Sequence, residues 1–133
     1  LFPCVWPVHP RTSQRLLQSK IKISKSIILL DPLGYIEFMG LQKDAMAIIT
    51  YSGGVQEEST YFGVPCLTIR ENTERPVTIS SGTNNLVDMD YELILKKLKE
   101  IGNILKQTKV PKYWDGDASK RIADVIKNKI FNN

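Results

Sequence analysis

The sequence has little of several features that would assign a protein to a class. Its 133 residues include one histidine and two cysteines. No apolar run approaches the roughly 20 residues that a transmembrane helix needs. No zinc-finger spacing is present, and aromatic and basic residues do not interleave as they do in nucleic-acid-binding motifs. We therefore predict no membrane span and no nucleic-acid partner.

The formal net charge of +4 does not alter this prediction. The lysines are concentrated in LKKLKEIGNILKQTK and KNKIFNN, where they recur at helical spacing among acidic residues. Such a pattern is typical of a solvated helix face rather than of a nucleic-acid surface.

The length and the two cysteines indicate the number of domains and the cellular compartment. A chain of 133 residues is expected to form one domain. It starts at Leu1 inside a strand-like run, which predicts the C-terminal part of a longer protein. Cys4 and Cys66 lie in apolar runs, so we predict free, buried thiols in a cytoplasmic protein, with a disulfide as the alternative.

Short apolar runs alternate with amphipathic ones along the whole chain. The pattern predicts strands at residues 3–8, 26–30, 45–50, 65–69 and 83–87, and helices at 11–20, 35–42, 55–62, 91–106 and 118–130. A helical turn is expected after Pro76, and Gly63 and Pro65 are expected to end the third helix. The unbroken β-branched run SIILL predicts a strand covered on both faces. The fold class is therefore α/β, with a parallel Rossmann-like sheet.

Residues suited to binding follow several of these strands. His9 follows the first strand, Ser52 to Gly54 the third, and Arg75 the fourth. In parallel sheets ligands bind outside the carboxyl ends of the strands. We therefore expect these residues to share one edge of the sheet.

The Ser52-Gly53-Gly54 segment, placed between a strand and a helix, suits a phosphate. Two glycines allow the backbone to approach an anion closely, and the following helix adds unpaired amides and its positive end. A turn without function is the alternative. Glu57 and Glu58 are expected near the first turn, where a carboxylate can accept ribose hydroxyls or merely stabilise the helix start.

Three further side chains are candidates, each with a structural alternative. Arg75 can bind phosphate through charge-assisted hydrogen bonds, or form a surface salt bridge with Glu74. Phe38 can stack on a base or pack in the core. His9 can act as an acid or base, or serve only the structure.

Several of these segments occur together in a known family. PVHPRT, LLDPLGYIEF, SGGVQEES, GVPCLTIRENTERPVTISSGTNNLV and WDGDASKRIADVI closely resemble the C-terminal half of the non-hydrolysing UDP-N-acetylglucosamine 2-epimerases. The resemblance covers nearly all of the chain. It implies a two-domain fold like that of the GT-B glycosyltransferases, in which residues 1–133 are the UDP-binding domain and the N-terminal catalytic domain is absent.

The resemblance also implies roles for particular residues. Ser52, Gly53 and Gly54 would hold the diphosphate with Arg75 beside it. Glu58 would take the ribose hydroxyls and Phe38 would pack on uracil, while His9 would be the active-site histidine near the sugar and diphosphate.

The implied activity is that of an isomerase. It interconverts UDP-GlcNAc and UDP-ManNAc by eliminating UDP and adding it again, supplying polysaccharide biosynthesis. No metal or redox cofactor is expected, and a homodimer is implied for the longer protein.

One residue departs from the family pattern. Tyr51 stands where the family usually has Asp before Ser-Gly-Gly, so the phosphate loop is expected to lose an orienting hydrogen bond, or the ring to fill part of the cleft. Three other functions stay open: a hydrolysing epimerase, a GT-B glycosyltransferase using a UDP-sugar, and a degenerate nucleotide-binding module without catalysis.

Overall fold

The computed structural model describes residues 3–101 and 110–130. The chain divides into two compact units, Leu1–Gly40 and Leu41–Asn133, which are described separately below. Among the described residues, no helix is both long and apolar enough to cross a membrane.

The first unit contains two parallel strands and a helix between them. Strand β1 (Cys4–Pro7) pairs with β2 (Ile27–Leu30), and helix α1 (Pro10–Gln18) connects them. Helix α2 (Tyr35–Asp44) begins here and continues past the boundary of the unit. Proline at the first position of α1 suits a helix start, because the missing N–H would have no partner there.

Two sequence predictions about burial in this unit are wrong. Cys4 is exposed, and β2 is not covered on both faces, since Ile28 and Leu29 are exposed. The physical reason is that β1 and β2 pair only with each other among the described residues, which leaves little structure to cover them.

The second unit is built on three parallel strands. These strands, β3 (Ile48–Thr50), β4 (Cys66–Thr68) and β5 (Asn84–Leu86), lie side by side in that order. Helix α3 (Gly53–Phe62) follows β3, and the short helix α4 (Pro76–Ser80) precedes β5. Helices α5 (Tyr91–Ile101) and α6 (Ala118–Ile130) complete the unit. The prediction of a helix to residue 106 extends beyond Ile101 into residues outside the described part.

The core of this unit lies along β4, whose three residues are all buried. Leu67 packs with Val87 and Ile101. The partly buried hydrophobic residues against this cluster are Ala47, Ile69, Leu93, Ile94 and Leu98. Cys66 is a buried free thiol, as predicted, and burial raises its pKa.

Helix α3 ends at Gly63, as the sequence predicts. Gly63 has a positive φ of 68°, which glycine adopts without steric cost, and its N–H donates to the carbonyls of Ser59 and Thr60. The chain then turns directly into β4.

Candidate functional site

The segment after β3 places two glycines at the start of α3 itself. The helix begins at Gly53, two residues earlier than the periodicity predicts, and Ser52 is its N-cap with φ −83° and ψ 132°. The Ser52 side chain makes no capping hydrogen bond, while its N–H donates to Thr50 Oγ1 at 3.0 Å. The first backbone amides of α3 therefore keep their hydrogen-bonding capacity at the positive end of the helix.

Gly53 lies directly against the Arg75 guanidinium. A Cβ added at Gly53 would lie 3.1 Å from Arg75 Cζ and 3.2 Å from both Nε and Nη1. A larger residue would have to displace the arginine. A Cβ at Gly54 would meet only Ser52 Oγ, at 3.9 Å, so space beside that hydroxyl is open. The structure thus brings Ser52, the glycine pair and Arg75 together at one helix end.

Two carboxylates hold Arg75 without taking up all of its donors. Its Nε lies 3.2 Å from Glu57 Oε2, and its Nη1 lies 3.7 Å from Glu74 Oε2. The Nε is nevertheless buried without a hydrogen-bond partner among the described residues, so the contact with Glu57 is an ion pair without good hydrogen-bond alignment. The arginine stays about one-third exposed, with donors left for an anion.

Glu57 and Glu58 do not lie in the first turn of α3. Because the helix begins at Gly53, both carboxylates fall in its second turn, so the predicted position near the first turn is wrong and the alternative of helix-start stabilisation loses its support. Glu57 instead faces Arg75. Glu58 is half-buried and accepts a hydrogen bond of 2.6 Å from Gln42 Nε2 on α2.

Sequence reasoning missed a buried polar network beneath the Arg75 loop. Gln56 is fully buried, and its Oε1 accepts from Thr73 Oγ1 at 2.6 Å and from Asn84 Nδ2 at 3.1 Å. The Asn84 amide also donates to Thr78 Oγ1 at 3.1 Å, and its Oδ1 accepts from Thr68 Oγ1 at 2.6 Å. One glutamine therefore joins α3 to the loop after β4 and to β5.

The same network continues into the backbone around Arg75. The Arg75 N–H donates to Thr73 Oγ1 at 3.0 Å, and its carbonyl accepts from Thr78 Oγ1 at 2.7 Å. The arginine is thus fixed at its backbone by the hydroxyls of Thr73 and Thr78 and at its guanidinium by carboxylates.

Tyr51, the residue that departs from the family pattern, lies beside Arg70. Its side chain is 72% exposed, and Arg70 Cζ lies 5.3 Å from its ring centroid, at cation–π distance. Arg70 donates to both carboxylate oxygens of Glu74, at 2.8 and 3.0 Å. These hydrogen bonds lower the pKa of Glu74 to about 2 and raise the pKa of Arg70.

His9 and Phe38 lie in the first unit. His9 is exposed and caps α1, with its Nδ1 accepting from the N–H of Arg11 at 3.3 Å. It therefore has a structural role at the start of α1. Phe38 is half-buried on α2. No group of three or more His, Cys, Asp or Glu side chains that could hold a metal occurs within residues 3–101 and 110–130.

The fold and this site define a parallel α/β protein with an arrangement suited to an anion: a helix N-terminus, two glycines and an arginine at a strand end. The family model described as UDP-N-acetylglucosamine 2-epimerase matches residues 1–127. The chain belongs to that family.

Curated relatives from distant organisms agree with this assignment. The UDP-N-acetylglucosamine 2-epimerase of Methanocaldococcus jannaschii is 40% identical over 126 residues, which cover 92% of this chain and 34% of the relative. The enzyme of that name from Escherichia coli K12 is 36% identical over 93% of this chain and 35% of the relative. The chain thus spans about a third of the length of the curated relatives it matches.

Solved structures show the same fold. The Methanocaldococcus jannaschii UDP-GlcNAc 2-epimerase in complex with UDP-GlcNAc and UDP matches with a TM-score of 0.80 and 39% identity, covering 94% of this chain and 35% of that one. The Neisseria meningitidis UDP-GlcNAc 2-epimerase bound to UDP-GlcNAc matches with a TM-score of 0.74 and 29% identity, over 99% and 36%.

Proposed function

We propose that this chain is the UDP-binding part of a UDP-N-acetylglucosamine 2-epimerase, which interconverts UDP-GlcNAc and UDP-ManNAc. Residues 1–133 act as one nucleotide-binding domain. Because the chain spans about a third of its relatives, we propose that turnover requires residues beyond that third. The 133-residue chain is then expected to bind UDP weakly and to show no epimerisation of UDP-GlcNAc.

The observation that carries this proposal is the contact of Arg75 with Gly53 at the start of α3. Ser52, Gly53 and Gly54 would hold the diphosphate through the hydroxyl and the helix amides. Arg75 would add charge-assisted hydrogen bonds from the donors that its carboxylate partners leave. These groups would stabilise the negative charge on UDP as it departs from the sugar.

The remaining roles rest on family membership and on the position of each residue. Glu58 would accept hydrogen bonds from the ribose hydroxyls, and Phe38 would pack on uracil. His9 would lie near the sugar and diphosphate. We further propose that the protein works as a homodimer in the cytoplasm, without a metal or redox cofactor. Light scattering on the purified protein tests the oligomeric state.

Calorimetric titration with UDP tests the binding proposal. Arg75→Ala is expected to weaken UDP binding about tenfold or more, because a charge-assisted contact with the diphosphate is lost. Arg75→Lys should restore part of the affinity, since it keeps the charge without the planar fork.

Two controls make this titration specific. Uridine, which carries no phosphate, should bind the parent chain and Arg75→Ala with equal affinity. Arg121→Ala removes an arginine that pairs with Asp115 instead, and should leave UDP binding unchanged. Absence of any heat with UDP, or equal UDP affinity of Arg75→Ala and the parent chain, would contradict the proposal.

The non-catalytic alternative rests on Tyr51 alone. Its exposed ring contacts Arg70, and Thr50 already holds the N–H of Ser52. We therefore expect Tyr51→Asp to change UDP affinity by less than about threefold. A large gain in affinity or turnover would instead favour a site impaired by the tyrosine.

A further inference from the structure

The contact between Gln42 and Glu58 joins the end of α2 to α3 within the second unit. Gln42 lies in the last turn of α2 and Glu58 in the second turn of α3, 16 residues further along the chain. Gln42 Nε2 donates to Glu58 Oε2 at 2.6 Å, and the Gln42 residue is only 3% exposed. A buried amide is thus committed to a half-buried carboxylate.

Hydrophobic packing does not explain a glutamine at this position. Burying an amide is unfavourable unless it is hydrogen-bonded, and an apolar residue of similar size would fill the same space without that requirement. A hydrogen bond to an ionised acceptor is stronger and more directional than a neutral one. What the glutamine adds is a fixed orientation of the Glu58 carboxylate.

Orientation matters for a carboxylate that accepts two neighbouring hydroxyls. A carboxylate has acceptor capacity for about four hydrogen bonds, so the single bond to Oε2 leaves room for both hydroxyls of a ribose. Both bonds form together only if the carboxylate plane is held at the correct angle, because misalignment weakens a hydrogen bond steeply.

We propose that Gln42 is a positioning residue, which holds Glu58 in the orientation that accepts the two ribose hydroxyls and so gives the site its preference for a ribonucleotide. This inference rests on the proposed function, which assigns the ribose to Glu58. It adds a residue on α2 that would set nucleotide selectivity without touching the ligand.

The test compares UDP with 2′,3′-dideoxy-UDP by calorimetry on the 133-residue chain. Gln42→Met keeps the approximate size of the side chain and removes the donor. It should weaken UDP binding about tenfold and leave 2′,3′-dideoxy-UDP binding unchanged. Gln18→Met makes the same substitution at an exposed position of α1 and should alter neither affinity.

A second variant and a double mutant separate positioning from folding. Gln42→Asn keeps an amide but shortens its reach, and should show the same selective loss if Gln42→Met does not fold. In a Glu58→Gln background the substitution at position 42 should have no further effect on UDP binding.

Each outcome has one meaning. Equal weakening of both nucleotides would make Gln42 a packing residue and overturn the inference, as would unchanged UDP affinity in a folded variant. If the parent chain binds no UDP, the proposed function fails and this inference fails with it. If the parent chain binds UDP but does not discriminate against the dideoxy analogue, only the ribose assignment and this inference fail.

Discussion

The two units bury their strands in opposite ways. Strands β1 and β2, with sequences CVWP and IILL, are strongly apolar, yet Val5, Trp6, Ile28 and Leu29 are exposed. Strands β4 and β5, with sequences CLT and NNL, are more polar, yet all of β4 and Asn84 are buried.

The difference shows that a strand's neighbours decide its burial more than its own hydrophobicity does. β4 lies between β3 and β5, whereas β1 and β2 have only each other within the described residues. Buried polar side chains on β4 and β5 and next to them are tolerated because most of their polar groups are hydrogen-bonded.

Truncating one leucine in each unit tests this comparison most strongly. Leu67→Ala removes a fully buried side chain from the core cluster and should lower the free energy of unfolding by about 2–5 kcal/mol. Leu29→Ala, at a side chain already 44% exposed, should lower it by about 1 kcal/mol or less.

The two tryptophans allow each unit to be followed by itself in this experiment. Urea unfolding is monitored by Trp114 in a Trp6→Phe background for the second unit, and by Trp6 in a Trp114→Phe background for the first. If both leucine variants lowered the free energy of unfolding equally, β4 would not be more deeply buried than β2.

The next largest effect on the free energy of unfolding is expected from replacing Gln56 in the buried polar network. Gln56→Leu leaves the Thr73 hydroxyl without its acceptor and removes one of the two acceptors of the Asn84 amide. An unsatisfied buried polar group costs about 1–3 kcal/mol. We therefore expect Gln56→Leu to lower the free energy of unfolding by about 2–4 kcal/mol, measured by urea unfolding with Trp114 as the probe. Gln18→Leu, at an exposed helical position, should change stability by less than about 0.5 kcal/mol. A loss below 1 kcal/mol for Gln56→Leu would show that the network contributes specificity without stability.

The alternation of short apolar runs with amphipathic segments, together with Pro76 for α4, predicted the helices and strands of the described residues, because these patterns are local properties of the chain. It placed the start of α3 at Val55, two residues late. Glycines are poor helix formers, yet Gly53 and Gly54 are both helical, and the missing side chain of Gly53 leaves room for the guanidinium of Arg75.

Local patterns also indicated the candidate anion site, since Ser52, the two glycines and Arg75 each follow a predicted strand. No local sequence pattern predicted the hydrogen bonds that fix the geometry of this site. Gln42 and Glu58 are 16 residues apart, Gln56 and Thr73 are 17 apart, and Gln56 and Asn84 are 28 apart. Hydrogen bonds over such separations depend on packing that no single segment encodes.

The smallest effect on the free energy of unfolding is expected from the ion pair between Arg70 and Glu74 in the second unit. This pair can be compared with the buried network of Gln56. Hydrogen bonds from Arg70 lower the pKa of Glu74 from its ordinary 4.5 to about 2, so folding favours the ionised carboxylate. The stabilisation is therefore complete above about pH 4.5 and is lost as the pH falls toward 2. Glu74→Gln should remove this part of the pH dependence, and Arg70→Met should remove the same part.

Urea unfolding of the parent chain and of Glu74→Gln between pH 2 and pH 6 measures this contribution. The difference in unfolding free energy should be small, because water and salt screen a carboxylate that is 60% exposed. It should shrink further in about 1 M salt, where the screening length falls to roughly 3 Å. A difference that grows as the pH falls would contradict the assigned direction of the pKa shift. A difference as large as that of Gln56→Leu would mean that this surface pair stabilises the second unit as strongly as its buried network does.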